Sequence, residues 1–188
     1  LYNAINTSVY TYSFEKAVTI REKLHVEQNL VIGHVGRFDA QKNHTFLLDI
    51  FSEFLNIVPN ARLLLVGDGE GRTQIQEKAK SLGLEEKVIF TGVRNDVADL
   101  LQAMDVFVFP SLYEGVPVTM IEAQASGLPC VISDGVPKDC VIPSGLVTSM
   151  KLSDRPCDWA KHIAAQLNRK RENHLEEIQA AGYDIVTA

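Results

Sequence analysis

Two cations stand five positions apart in Gly36-Arg37-Phe38-Asp39-Ala40-Gln41-Lys42-Asn43, between an apolar run and a segment of helical periodicity. A planar guanidinium grips phosphate oxygens through paired hydrogen bonds, and the N–H groups at a helix start favour an anion. Arg37 and Lys42 therefore suit a diphosphate, with Gly36 providing the turn; the alternative is a pair of solvated loop charges. A second stretch, Pro110-Ser111-Leu112-Tyr113-Glu114-Gly115-Val116-Pro117-Val118-Thr119-Met120-Ile121-Glu122, sets two carboxylates eight positions apart. Glu114 falls in the loop and Glu122 more than one turn inside a helix that starts near Pro117. Gly115 permits close backbone approach, and Val116, Val118 and Thr119 carry the N–H groups that Pro117 lacks. Acceptors at both ends of such a turn suit sugar hydroxyls. The competing account of Glu114 is compensation of the helix dipole, worth only about 0.3–1 kcal/mol. Glu122 is either a solvent-facing helix residue or, beside Ile121, Ala123 and Ala125, a carboxylate in an apolar setting that is costly unless partnered.

Other candidates carry less chemistry. Gly92-Val93-Arg94 offers backbone polar groups and a flat cation that could frame a nucleobase, or simply an exposed arginine. Gly67-Asp68-Gly69-Glu70-Gly71 lacks the G-x-G-x-x-G spacing, follows the second strand of the chain, and carries acids that would repel a pyrophosphate; it reads as a strand-to-helix turn. The histidines His25, His34, His44, His162 and His174 show no mutual spacing typical of a metal site. His34 falls in a strand as a core or edge residue, and His44 has no assigned role. Arg169-Lys170-Arg171 lies among glutamates and reads as the solvated face of a terminal helix. Cys130, Cys140 and Cys157 read as free thiols of a reducing compartment, because none forms a C-x-x-C pair.

The elements that must position these residues follow from periodicity and punctuation. Apolar runs at Asn29–Gly36, Ala61–Gly67, Lys87–Gly92, Asp105–Pro110 and Leu128–Ser133 suit buried strands, with a sixth at Gly145–Val147. Helices are expected over 44–58 with Asn43 as cap, over 70–82 closed by Gly83, over 97–104, over 117–126, and in one long run from Asp158 to Ala180. Strand and helix alternate with short connections, which calls for a mostly parallel sheet covered on both faces: a three-layer α/β, Rossmann-like domain. Ligands of such sheets sit at the carboxyl ends of the strands, where both charged stretches lie.

The 188 residues suffice for one core, and 46% hydrophobic with 22% charged residues describe an ordinary globular domain. A formal net charge of −6 argues against a general nucleic-acid binder while leaving room for a small basic pocket. No stretch approaches the roughly 18 apolar residues of a membrane helix, and no signal-peptide pattern opens the chain. Residues 1–28, with Tyr2, Tyr10, Tyr12 and Phe14, read as a connecting segment, and 29–188 as the functional domain. The start at Leu1, without Met, suggests a truncated chain.

GRFDAQKN, GDGEGR, FTGVRNDV and above all FPSLYEGVPVTMIEAQASGLP closely resemble the C-terminal donor-binding domain of retaining GT-B glycosyltransferases of family 4, the enzymes of exopolysaccharide, capsule and lipid-glycan assembly. The resemblance runs from about Asn29 to Ser133 and weakens beyond. It implies that Arg37 and Lys42 hold the donor diphosphate, that Glu114 contacts the donor sugar and Glu122 the ribose, that Gly115, Val116 and Thr119 meet sugar and phosphate, and that Val93 and Arg94 lie beside the base. Leu1 to about Phe14 resembles the family's interdomain segment, with Asn3-Ala4-Ile5-Asn6-Thr7 at its N-G/A-I-D stretch.

The expectation is thus a nucleotide-diphosphate sugar, UDP foremost, as donor, with no cofactor and no metal. A glycan or lipid-linked acceptor would be bound through a preceding domain that this chain does not contain. The whole protein would work in the cytoplasm, with peripheral association at the inner membrane face open. The isolated chain would bind UDP feebly and transfer little or nothing. A sugar-nucleotide epimerase, a phosphorylase-like enzyme and a non-catalytic binding module remain alternatives.

Overall fold

The structure is a computed structural model that describes residues 4–186. Leu1, Tyr2 and Asn3, the last of them part of the N-G/A-I-D match, lie outside the described residues.

Six strands form one sheet: β1 (Val31–Val35), β2 (Arg62–Val66), β3 (Val88–Phe90), β4 (Val106–Phe109), β5 (Cys130–Ser133) and β6 (Val147–Met150). Every pairing is parallel and the order is β3-β2-β1-β4-β5-β6. This doubly wound order reverses direction between β1 and β4, so the loops leaving those two strands flank a crevice at the carboxyl edge.

Alternation along the strands feeds two separate cores. Val31, Val35, Leu64, Val66, Phe107, Phe109, Cys130 and Ile132 point to one face. Ile32, Leu63, Leu65, Val106, Val108 and Val131 point to the other. Strands buried on both sides read as unbroken apolar runs, which is why they were visible in the sequence. The second face is covered by α3 (His44–Leu55), α4 (Arg72–Ser81) and α7 (Pro156–Ala164), with Trp159, Phe51 and Phe54 fully buried. The first is covered by α5 (Val97–Ala103), α6 (Val118–Ala125) and α8 (Leu175–Ala180), joined by helices from the opening segment.

That segment forms a single turn α1 (Thr7–Tyr10) and a full helix α2 (Phe14–Leu24), whose start is capped by the Ser13 side chain accepting from the Lys16 amide. It is tied down: the Ser13 amide donates to Gln102 Oε1 at 2.9 Å, and Arg21 donates to the Ala103 carbonyl and to Asp105. Ile5 exchanges backbone hydrogen bonds with Tyr183 and Ile185 near the other end of the chain.

Three expectations need correction. The long helix over 158–180 is two helices, α7 and α8, separated by an irregular stretch. Arg171 lies in that stretch and is not on a solvated helix face. Its guanidinium is buried against the Tyr12 ring and donates to the carbonyls of Leu101, Gln102, Met104 and Ser126. Those carbonyls belong to the ends of α5 and α6 and have no helical partner, so one planar cation satisfies two helix termini. Burial lowers the Arg171 pKa to about 10. Second, β6 spans Val147–Met150, starting where the expected strand ended. Third, Asn43 precedes α3 in the left-handed region at φ 54° with its side chain turned away from the helix; its amide donates to the Pro110 carbonyl instead.

Candidate functional site

Both charged stretches leave the strands that flank the crevice: residues 36–43 follow β1 and residues 110–117 follow β4. The two loops are stitched together. The Leu112 amide donates to the Gln41 carbonyl at 2.8 Å, Asn43 reaches the Pro110 carbonyl, and Gln41 Nε2 donates to the Tyr113 carbonyl at 3.0 Å.

At their junction Lys42 Nζ lies 2.6 Å from Glu114 Oε1, while Gln41 Nε2 donates to Glu114 Oε2 at 3.1 Å. Only 4% of the Glu114 side chain and 16% of Lys42 are exposed. The Lys42 ammonium also stands 4.9 Å from the centre of the Phe109 ring, the last residue of β4. Asp39 fixes the local turn by accepting from the Lys42 amide. The ammonium keeps further N–H donors beyond the one engaged. Seen from a distance, however, the pair is neutral.

Arg37 differs. It is exposed, its side chain makes no hydrogen bond or ion pair among the described residues, and it lines a hollow of about 520 Å³ with Phe38, Asp39, Ala40, Gly69, Glu70 and Gly71. The hollow is bounded by the β1 and β2 exits and does not reach Glu114 or Glu122. Arg37 is thus an unpaired cation at this rim, and the carboxylates of Asp39 and Glu70 line the same hollow.

Two glycines let these exits pack. A side chain on Gly67, which sits at φ 133°, would come within 2.1 Å of the Gly36 carbonyl oxygen. One on Gly36 would come within 2.9 Å of His34 Nε2. Gly67 also receives the turn after β3, its amide donating to the Gly92 carbonyl at 2.9 Å. Beside it, Val93 is exposed and Arg94 is held in a fork by Asp96, at 2.7 and 2.5 Å.

Helix α6 begins at Val118 with Pro117 as its cap residue, one position later than expected, and no side chain caps its first turn. Val116 is exposed, Thr119 half-buried, and a side chain at Gly115 would meet nothing within 4 Å. The protein's own packing thus does not require glycine there. Glu122 shares the outer edge of α6 with Thr119. It does not join Lys42 and Glu114. Its Oε1 accepts from the Tyr10 hydroxyl at 2.6 Å, and no cation pairs with it among the described residues. Burial, partly offset by the Tyr10 hydrogen bond, raises the Glu122 pKa. Burial and the same carboxylate push the Tyr10 phenol well above its ordinary range.

Sequence reasoning missed Gln41 and Tyr10 as partners of the two acids. Gln41 had a local signal, since it adjoins Lys42; Tyr10 lies 112 positions from Glu122 and had none. Below the cradle, His34 and His44 meet edge to face with ring centres 4.7 Å apart. His34 Nδ1 lies 2.9 Å from the Val108 carbonyl, and the other three ring nitrogens have no partner among the described residues. Burial holds both rings neutral, lowering His44 to about 4. Among the described residues no cluster of three or more His, Cys, Asp or Glu is placed to hold a metal, and no helix is long and apolar enough to cross a membrane.

Comparison with known proteins identifies the family. The family described as glycosyl transferases group 1 matches residues 29–169. A putative glycosyltransferase, EpsF, of Bacillus subtilis strain 168 is 43% identical over 158 residues, covering 82% of this chain and 41% of its own. The Escherichia coli UDP-Gal:alpha-D-GlcNAc-diphosphoundecaprenol alpha-1,3-galactosyltransferase is 31% identical over 144 residues, covering 74% of this chain and 37% of its own. The crystal structure of Anabaena Alr3699/HepE in complex with UDP-glucose superposes with a TM-score of 0.82 at 25% identity, covering all of this chain and 54% of that one. The chain spans about two-fifths of the curated relatives' length.

Proposed function

The chain belongs to the glycosyl transferases of group 1, and from that premise we propose that it is the nucleotide-sugar-binding half of a retaining glycosyltransferase that uses a UDP-sugar. The observation that carries the proposal is the Lys42–Glu114 contact at 2.6 Å, made between the loops that leave the two strands flanking the crevice. It sets a cation that can face phosphate beside a carboxylate that can face sugar hydroxyls. The UDP-glucose complex of the Anabaena relative supports a nucleotide-sugar as the ligand.

In this reading the main chemical burden is negative charge on the departing diphosphate. Arg37 brings the unpaired positive charge, Lys42 a fixed ammonium whose spare N–H groups donate to phosphate oxygen, and the uncapped first turn of α6 its free N–H groups. Preorganisation is the advantage, because Glu114, itself held by Gln41, already fixes Lys42 before the donor arrives. Glu114, with Gly115, Val116 and Thr119, lines the sugar side, where the open space over Gly115 admits a ligand close to the backbone. Glu122 accepts from the ribose, and Val93 and Arg94 flank the base. The acceptor, a glycan or lipid-linked species, is assigned to a preceding domain, with exopolysaccharide or capsule assembly at the inner membrane face as the setting. The polysaccharide-related name of one relative, the Salmonella typhi Vi polysaccharide biosynthesis protein VipC/TviE, supports that choice.

Calorimetric titration of UDP, GDP, ADP, UDP-sugars and inorganic phosphate into the protein tests the reading. Preference for UDP and UDP-sugars is expected, with negligible transfer by the chain alone. Binding of phosphate without nucleotide selectivity would favour the phosphorylase-like alternative, and no binding at all a non-catalytic module.

A further inference from the structure

Glu122 is a half-buried carboxylate with no cation beside it among the described residues. Desolvating a charge without compensation is costly, and the compensation here is one charge-assisted O–H···O bond of 2.6 Å from Tyr10. We propose that Tyr10 is a positioning residue of the nucleotide site: its hydroxyl pins Glu122 Oε1 and leaves Oε2 oriented as the acceptor for the ribose hydroxyls. The proposal rests on the nucleotide-sugar reading above and deepens it at the ribose.

Three features carry it. Oε2 of Glu122 makes no hydrogen bond among the described residues, so the carboxylate is engaged on one side only. Tyr10 is itself anchored from behind. Its carbonyl accepts from Gln102 Nε2, the same side chain that receives the Ser13 amide, and the turn that carries it packs against α5 and α6. Finally, Tyr10 belongs to the opening segment, outside the stretch of closest sequence resemblance, so the ribose carboxylate is oriented from a separate part of the chain. A carboxylate free to rotate about its last torsion must be ordered when ligand binds, whereas one already fixed needs no such ordering.

Binding of UDP and of 2′,3′-dideoxy-UDP to wild type and Tyr10→Phe, by calorimetry, tests the proposal. Wild type is expected to prefer UDP. Tyr10→Phe keeps the ring and is expected to lose about three- to tenfold in UDP affinity, the size of one ordinary net hydrogen bond, with little change for the dideoxy compound. A substitution that acts only on packing would weaken both alike, and that result overturns the proposal while the nucleotide reading stands. Equal affinity of wild type for the two compounds removes Glu122 as a ribose ligand and sinks the proposal too; no UDP binding by wild type sinks both. Should Tyr10→Phe not fold, 3-fluorotyrosine placed at position 10 gives a second readout. Its fluorine resonance is expected to move with UDP more than with the dideoxy compound, and equal shifts would count against the assignment.

Discussion

Glu114 and Glu122 sit eight positions apart in one stretch, yet the fold holds them by opposite means. Glu114 meets an ammonium and an amide donor, both supplied by the loop across the crevice. Glu122 meets a neutral phenol from the opening segment and no cation. The first arrangement compensates charge with charge and makes the carboxylate part of the rim's architecture. The second leaves a carboxylate that is ionised at some electrostatic cost and retains a free acceptor. A residue with its charge already matched holds its cation in place whatever else it touches, while one left under-compensated suits a ligand that brings its own donors.

The largest effect should come from breaking the matched pair. Lys42→Ala leaves Glu114 buried with only an amide donor, and removing one partner of a buried pair costs on the order of 3 kcal/mol. Urea denaturation should show that loss, and the double variant Lys42→Met with Glu114→Leu should recover most of it, because packed apolar groups replace the pair without stranding a charge. A Lys42→Ala protein as stable as wild type would show that Glu114 does not depend on its cation.

Arg37→Ala offers the contrasting case. The side chain is exposed and unpartnered, so stability should stay within about 0.5 kcal/mol of wild type. UDP affinity should fall about tenfold, the loss of a charge-assisted contact to phosphate, as read by calorimetry. Unchanged affinity would shift the phosphate role wholly onto Lys42 and the helix start.

How much of this was legible beforehand follows from the range of the interactions involved. The strands were visible because doubly buried strands are apolar throughout, as in Arg62–Val66, and the loops because Gly and Pro punctuate them. Lys42 and Glu114 could be assigned to one rim from topology alone, since adjacent strands in a doubly wound sheet share an edge. The Tyr10 contact was not legible, because no local pattern encodes a hydrogen bond across 112 positions. Arg171 misled for the same reason. Charged neighbours in sequence suggested a wet helix face, while the carbonyls that claim it come from the ends of two distant helices.

The smallest effect is the pH dependence that separates the two acids. Burial raises the Glu122 pKa above its ordinary 4.5. The folded state therefore binds this proton more tightly than the unfolded chain does. The group's contribution to stability is full below the unfolded pKa and is lost as pH rises through the folded value. Glu122→Gln abolishes that titration while keeping an oxygen to accept from Tyr10. Relative to wild type, the variant should gain stability as pH is raised above 4.5, because the native carboxylate ionises at a higher pH than the unfolded one. The gain should be small, because solvent reaches the group. Over the same range UDP binding by wild type should strengthen, since only the ionised carboxylate offers acceptors on both oxygens, and by Glu122→Gln it should stay flatter. Parallel curves for the two proteins, in both stability and binding, would mean that Glu122 is as thoroughly compensated as Glu114, and the contrast between the two acids would disappear.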